Sequence, residues 1–471
     1  MNKAMQTIKK LLFAVAALIC LTASAAEATP PKYIFYFIGD GMGMGPAVAT
    51  EMYNRHVLGN DTPITMMQFP VSGFCLTYSA SSPVTDSAAA GTALSTGTKT
   101  KNSMLGMNPD TIPVYSIATI LKSDGYGVGI ATSVAPDDAT PGAFYAHVPS
   151  RNMAYQIDVQ AAQSGYEFLA GARLRGTKDK DGNPTDIMEV MEANNVKVVY
   201  GMKELSETTA EKVFLLNTPG HDKDWNIGYT IDSIADALTL PIITQACLDH
   251  LLRVSPEKFF MMVEGGNIDH ALHANDGGAA IKEILNFNQA IDIAYQFYKQ
   301  HPDETLIVVT ADHDTGGMTI GNPHLGYNAH LEIIDYQRHS KEGFEDYCKK
   351  TLENNITPTW PEMKEYLTQH FGMWKQVPIT EKQEALLKET FDNTFEKLDS
   401  EDERTLYANF NQFVKTVYKT FNDVAGIGFV ATSHTGNPVP VFAVGDGASA
   451  FSSLNNNIEI PEKILKLVNG K

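Results

Sequence analysis

The feature that most constrains this chain is a set of four short apolar runs, each delivering acidic residues or histidines beside glycine. Tyr33–Ile38 runs into Gly39-Asp40-Gly41, and Phe259–Val263 runs into Glu264-Gly265-Gly266, with Asp269, His270 and His273 just beyond. Thr305–Thr310 leads to Ala311-Asp312-His313-Asp314-Thr315-Gly316-Gly317, and Ile427–Thr432 to Ser433-His434-Thr435-Gly436. Gly127–Thr132 and Val439–Val444 are further β-rich runs. The runs are apolar at successive positions rather than alternating, which marks strands buried on both faces of a parallel sheet. Helical stretches separate them. The pattern predicts an α/β fold: a doubly wound, mostly parallel central sheet with helices on both faces, an α/β/α sandwich, with ligands at the carboxyl ends of the strands. A single Asp after a strand is ordinarily a turn residue or a helix cap. Four strand ends loaded with metal-ligand types are harder to assign to turns, because a parallel sheet gathers them at one edge.

Ala279 to Tyr298 reads as an amphipathic helix, with Ile281, Ile284, Leu285, Ile291 and Ala294 at helical spacing. One block departs from the alternation. From about residue 335 to 422 the chain is charged, helical and poor in strand signals, and it reads as an inserted helical cap. Thr359-Trp360-Pro361-Glu362 and Thr380-Glu381-Lys382-Gln383 have capping-box spacing, and Leu387, Phe391, Phe395 and Leu398 mark one apolar face. The N-terminus reads as an export signal over residues 1–28. Lys3, Lys9 and Lys10 precede an apolar run from Leu11 to Leu21, too short to span a bilayer, and small residues with Ala-x-Ala sites end at Ala25 or Ala28. Residues 29–471 are then expected to form a single domain, periplasmic or secreted, with no membrane attachment after cleavage.

The formal charge of −19 repels nucleic acid at long range, so no dedicated nucleic-acid partner is expected. An anionic substrate must be drawn in by a local positive centre, which bound metal usually supplies. Of four Cys, Cys20 lies within the signal. Cys75, Cys247 and Cys348 are widely separated, form no CxxC pair and read as buried small hydrophobes rather than a disulfide framework or a zinc site.

Asp269 and His273 are four residues apart, so a helix would project both from one face. With His434 they make a three-ligand set that leaves a tetrahedral zinc one open position. Asp40, Asp312 and His313 make a second such set, and mixed imidazole–carboxylate ligation favours Zn2+ for both. Glu264 and the remaining lone pairs of Asp40 suit a hard, oxygen-preferring third ion such as Mg2+. The nucleophile candidate is Ser87 in Val84-Thr85-Asp86-Ser87-Ala88-Ala89-Ala90-Gly91. Its place in the first turn of a small-residue helix puts it where free backbone N–H groups favour an anion.

Seven motifs in order make the resemblance specific: Phe37-Ile38-Gly39-Asp40-Gly41-Met42-Gly43, Thr85-Asp86-Ser87-Ala88-Ala89, Asp138-Ala139-Thr140-Pro141, Ala146-His147-Val148-Pro149-Ser150-Arg151, Val263-Glu264-Gly265-Gly266 with Asp269-His270 and His273, Thr310-Ala311-Asp312-His313, and Ser433-His434-Thr435-Gly436. Over about residues 33–446 the chain resembles the alkaline phosphatase family, with weak similarity across roughly 177–255 and through the helical insertion. The resemblance implies an exported hydrolase of phosphate monoesters with two Zn2+ and one Mg2+. It implies Ser87 as the residue phosphorylated during turnover, one zinc on Asp269, His273 and His434, and the other on Asp40, Asp312 and His313. Magnesium on Asp40, Thr140 and Glu264, and substrate phosphate on Arg151, follow likewise, Thr140 and Arg151 from the family alone. Asp138 and His270 are expected to surround the ligands rather than bind a metal directly. Family members are commonly homodimers, which nothing read from these residues establishes.

Two other readings stay open at this point: a phosphodiesterase or sulfatase of the same superfamily, or a non-catalytic periplasmic protein that binds metal or phosphate. The Cys/Ser-x-Pro-x-Arg signature of sulfatases is absent. Thr177-Lys178-Asp179-Lys180-Asp181-Gly182-Asn183 mimics the start of an EF-hand loop, but Pro184 and Val190 stand where Gly and Glu are needed, so it reads as a polar turn. His56, His221, His250 and His370 have no ligand-like spacing and read as surface or satisfied core positions.

Overall fold

The computed structural model describes residues 30–470 apart from 222–224, 323–324, 397–402 and 405–408. The export signal read over residues 1–28, with Cys20, lies outside the described residues, as does Leu398. Ten strands form the central sheet: β1 (Tyr33–Ile38), β2 (Val71–Leu76), β3 (Gly127–Thr132), β4 (Phe168–Gly171), β5 (Lys197–Tyr200), β6 (Val213–Leu216), β7 (Phe259–Glu264), β8 (Thr305–Thr310), β9 (Val439–Gly445) and β10 (Ser453–Asn456). Their spatial order is β10-β2-β9-β8-β1-β7-β3-β4-β6-β5. Every pairing is parallel except those of β9, which runs antiparallel to both β8 and β2.

The continuous apolar pattern of β1 has its cause in two covering layers. Helices α1 (Ser87–Thr96), α2 (Leu240–Val254), α3 (Gly266–His273) and α4 (Gly277–Gln300) supply much of that cover. Tyr33, Phe35 and Phe37 meet Phe297 and Phe287 of α4 edge-on, whereas Tyr36 turns the other way, donating its hydroxyl to Leu94 O of α1 at 3.3 Å. All six residues of β1 are buried. The amphipathic segment read as 279–298 is α4, two residues longer at each end.

The run Ile427–Thr432 is not a strand of the sheet. Only Ile427–Gly428 pairs, antiparallel to Thr319–Ile320, and Val430 is 79% exposed. The reason lies in the occupancy of edges: β8 is already flanked by β1 on one side and β9 on the other, so the run has no backbone edge to join. His434 arrives instead from a two-residue ladder, His434–Thr435 against Asp314–Thr315. Three parallel strand ends, not four, therefore load the edge directly.

Between β8 and β9 the chain forms α5 (Lys341–Glu353), α6 (Trp360–Phe371), α7 (Glu381–Phe391) and α8 (Gln412–Ala425). Both capping boxes form: Thr359 N donates to Glu362 Oε2 at 2.7 Å, and Thr380 N to Gln383 Oε1 at 2.9 Å. Leu387, Phe391 and Phe395 are buried, with Phe391 and Phe395 in edge contact with Phe413 of α8. Cys75, Cys247 and Cys348 are free and buried, and burial pushes the Cys75 thiol up to about 12. The EF-hand mimic is a turn in which Asp179 Oδ1 accepts from the backbone of Asp181 and Asn183. Among the described residues no helix is long and apolar enough to cross a membrane.

Candidate metal centre and nucleophile

Each site residue is placed by the end of a secondary-structure element. Asp40 lies two residues beyond β1, Glu264 is the last residue of β7, and Asp312 and His313 follow β8. Asp269 and His273 share one face of α3, as their spacing predicts. Gly41 lies at φ +70°, and a Cβ there would come within 2.7 Å of Asp269 Oδ1, so the turn after β1 admits only glycine if Asp40 is to enter the cluster.

The carboxylates and imidazoles converge. His273 Nε2 is 3.0 Å from His434 Nε2 and 3.4 Å from Asp269 Oδ2, and His434 Nε2 is 3.9 Å from Asp269 Oδ1. His313 Nε2 is 3.3 Å from Asp40 Oδ1 and 3.2 Å from Asp312 Oδ2. The ligand atoms of Asp40, Asp312 and His313 lie close enough to hold one ion, and so do those of Asp269, His313 and His434. His313 and His434 stack with ring centroids 3.6 Å apart, joining the two sets.

The outer ring nitrogens show what the inner ones require. His273 Nδ1 is 2.6 Å from Thr432 O, and His434 Nδ1 is 2.8 Å from Thr85 O; a carbonyl only accepts, so both Nδ1 carry the proton. Thr315 Oγ1 donates its single proton to Asp269 Oδ1 at 2.5 Å and so must accept from His313 Nδ1 at 3.1 Å. All three Nε2 atoms thus turn lone pairs inward in the neutral rings. Two lone pairs facing at 3.0 Å repel unless a cation lies between them, and ligand atoms on a tetrahedral zinc are about 3.3 Å apart. Three carboxylate oxygens, Asp40 Oδ1, Glu264 Oε1 and Asp269 Oδ2, are buried without a hydrogen-bond partner. The donor set fits divalent cations.

The electrostatics agree. Burial, then the negative charges of Asp312, Asp269 and Glu264, hold the Asp40 carboxyl far above its usual range. Burial pushes Glu264 up to about 8 and Asp312 up to about 6. Burial alone would raise Asp269 too, but positive charge at His273, His434 and His313 outweighs it and holds it well below the carboxylate range; with the rings neutral, a cation between them would supply that charge. Cations in the cluster would relieve the crowding of negative charge.

Ser87 is buried at the first position of α1, capped by Asp86, whose Oδ1 accepts from Ala89 N at 2.9 Å. Ser87 Oγ lies 3.1 Å from His313 Nε2, at the rim of the second donor set. Arg151 donates from Nη2 to Asp138 Oδ1 at 2.9 Å, and its Nη1 is 3.9 Å from Asp86 Oδ2, so the guanidinium stands beside the serine's own cap. Thr140 Oγ1 donates to Asp312 Oδ2 at 3.5 Å, with the Glu264 carboxylate beside it. His270 is buried beside Asp269 and Asp138, and burial lowers it to about 4.

Sequence reasoning missed several partners. Thr132 donates to Glu264 Oε2, Thr315 fixes the His313 ring, and Arg175 contacts both Asp137 and Asp138. Thr132 ends β3 at the loaded edge and was findable from that position. Thr315 and Arg175 carry no signal in spacing. His370 is not solitary: its Nδ1 lies 3.1 Å from His339 Nε2. His250 is a satisfied core residue, 2.8 Å from Glu211 O.

The alkaline phosphatase family model matches residues 31–170 and 165–469. Alkaline phosphatase 4 of Bacillus subtilis (strain 168) is 29% identical over 447 residues, covering 93% of this chain and 88% of that protein. The crystal structure of a cold-active alkaline phosphatase from a psychrophilic Shewanella sp. superposes with a TM-score of 0.78 at 26% identity, covering 92% of this chain and 99% of that one. A mutant alkaline phosphatase of the Antarctic bacterium TAB5, solved with Mg bound in its M3 site, shares the fold at a TM-score of 0.64 and 23% identity, covering 94% of this chain and 99% of that one.

Proposed function

This chain belongs to the alkaline phosphatase family and is a phosphate monoester hydrolase, and from that premise we propose that it works after export, through a phosphoserine at Ser87, beside two Zn2+ and one Mg2+. Asp269, His273 and His434 would hold one zinc, and Asp40, Asp312 and His313 the other. Asp40, Thr140 and Glu264 would hold magnesium, in keeping with the Mg found in a protein of the same fold. Bound there, the ions would supply positive charge for the phosphoryl oxygens and lower the pKa of nearby hydroxyls.

The chain's own residues account for the rest. Ser87 Oγ sits at a helix N-terminus, where backbone N–H groups and the helix dipole favour an approaching phosphoryl group. Its oxygen forms a bond to phosphorus as the ester P–O bond breaks in line, and the alcohol leaves. Water then forms a P–O bond as the Ser87 Oγ–P bond breaks, restoring the hydroxyl and releasing phosphate. Arg151 can offer two N–H groups of its fork to two phosphoryl oxygens. Burial of Ser87 limits the water that can reach phosphorus, so hydrolysis of the phosphoserine needs one water admitted after the alcohol has left. Residues 29–471 are read as one domain, with the helical insertion at about 335–422 as its cap.

The observation that carries this reading is three imidazoles with inward lone pairs around orphaned carboxylate oxygens, beside a capped, buried serine. The test is hydrolysis of p-nitrophenyl phosphate at alkaline pH with zinc and magnesium, before and after chelation, in wild type and S87A. Expected are loss on chelation, recovery on adding metal back, and phosphate on Ser87 in acid-quenched wild type. Turnover indifferent to chelation and retained by S87A would sink the proposal.

A further inference from the structure

Arg175 is a second guanidinium at the rim that the reaction above leaves without a role. It lies just past β4 and reaches to the turn that follows β3. Its Nε is 3.3 Å from Asp137 Oδ2, its Nη1 is 3.3 Å from Asp138 Oδ1, and its Nη2 donates to Asp137 O. The same Asp138 Oδ1 takes the 2.9 Å hydrogen bond from Arg151. One carboxylate oxygen is therefore divided between two guanidinium groups.

We propose that Arg175 is a positioning residue for phosphate: by taking a share of Asp138 and neutralising Asp137, it keeps Arg151 from being locked in a closed ion pair and able to turn its fork to the substrate. This rests on the monoesterase reading above. Two carboxylates crowd Arg151, Asp138 in contact and Asp86 at 3.9 Å, and Asp137, next to Asp138, faces Arg175. Asp86 is tied down by Ala89 N at 2.9 Å and Ser103 N at 2.8 Å, so it cannot swing away. With Arg175 in place two cations face three anions; without it Arg151 would be the one guanidinium against them, and an incoming phosphate would meet a further unit of uncompensated negative charge.

Holding the loop does not require the Asp138 contact. The Arg175 backbone N already bonds the Asp137 carboxylate, at 3.3 and 3.2 Å, and Nη2 is anchored on Asp137 O. The Nη1 contact is the one that reaches the substrate arginine. Side-chain exposures of 20% for Arg175, 14% for Arg151, 8% for Asp138 and zero for Asp137 leave these charges weakly screened.

The test measures inorganic phosphate binding to the metal-loaded enzyme by calorimetry, and phosphate Ki, KM and kcat with p-nitrophenyl phosphate, in wild type, R175M and D137N. Removing a unit charge at this range changes anion affinity by about tenfold. R175M is expected to bind phosphate about tenfold more weakly, with KM raised in proportion and kcat not reduced. D137N, isosteric and buried, frees Arg175 to commit to Asp138 and is expected to bind phosphate about threefold more tightly. Opposite signs are what loop damage cannot produce. Unchanged phosphate affinity in both, weaker binding in both, or a fall in kcat with phosphate affinity intact would overturn the proposal. If R175M does not fold, D137N decides alone: tighter binding supports it, and unchanged or weaker binding overturns it. A wild type that does not hydrolyse monoesters refutes the parent reading instead, whereas an active wild type with insensitive variants refutes only the role of Arg175.

Discussion

Among the described residues two imidazole pairs meet nitrogen to nitrogen at nearly the same distance, His273 with His434 at 3.0 Å and His339 with His370 at 3.1 Å. The first pair is Nε2 to Nε2, each ring pinned through Nδ1 to a backbone carbonyl, with the carboxylate of Asp269 at 3.4 and 3.9 Å. The second is Nε2 to Nδ1 in the helical insertion, with the Tyr366 hydroxyl 3.1 Å from the same His339 nitrogen. One proton shared along that N···N line satisfies the second pair as an ordinary hydrogen bond. The first has no proton to share. The lesson is that distance does not make a metal site; a fixed tautomer beside uncompensated carboxylate does.

The largest test of the comparison removes one ring from each pair. H273A should lose about 1000-fold or more in kcat/KM and retain less zinc by metal analysis, because a proposed zinc ligand is gone. H339A should keep zinc content and kcat/KM within about threefold. Equal losses in both would break the distinction. A finer test removes only the tautomer lock: T315V deletes the acceptor for His313 Nδ1 and should cost about 10–100-fold in activity or zinc affinity, since the ring is then free to place its proton inward. An unchanged T315V would show that burial alone fixes the ring.

The smallest effect concerns a buried carboxylate outside the proposed metal cluster. Glu283 of α4, like Glu264, is buried and pushed up by burial, to about 7, but its Oε1 accepts from Thr230 N at 2.7 Å. Its folded-state value lies above its unfolded one, so the stability it contributes is full below about pH 4.5 and lost as pH rises through about 7. E283Q should therefore unfold at higher urea than wild type at pH 9, by about 2 kcal/mol, with the difference fading near pH 5. E264Q should instead lower magnesium affinity. A destabilised E283Q at pH 9 would mean that its carboxylate, too, is compensated.

Much of this was legible. β1, β3 and β8 begin and end where their apolar runs do, because a strand buried on both faces must be apolar throughout and stops where it is not. Ser87 falls in the first turn of α1, and Asp269 and His273 share a face of α3, since both are local helix geometry. Ile427–Thr432 misled because an apolar run becomes a strand only if a free edge awaits it. Thr315 and Arg175 were invisible: a threonine that sets a tautomer and an arginine that splits a carboxylate look like any others in a linear chain.

The sequence by itself determined the period and burial of the strands, the caps, the residue types offered at each strand end, and hence the family and the class of chemistry. Tertiary structure alone decided which nitrogen of each histidine faces inward, which carboxylate oxygens are left without donors, and which guanidinium shares Asp138. The physical reason is range: periodicity and capping act within a few residues, whereas Thr85 O and His434 Nδ1, 349 residues apart, acquire a relation only when the sheet closes between them.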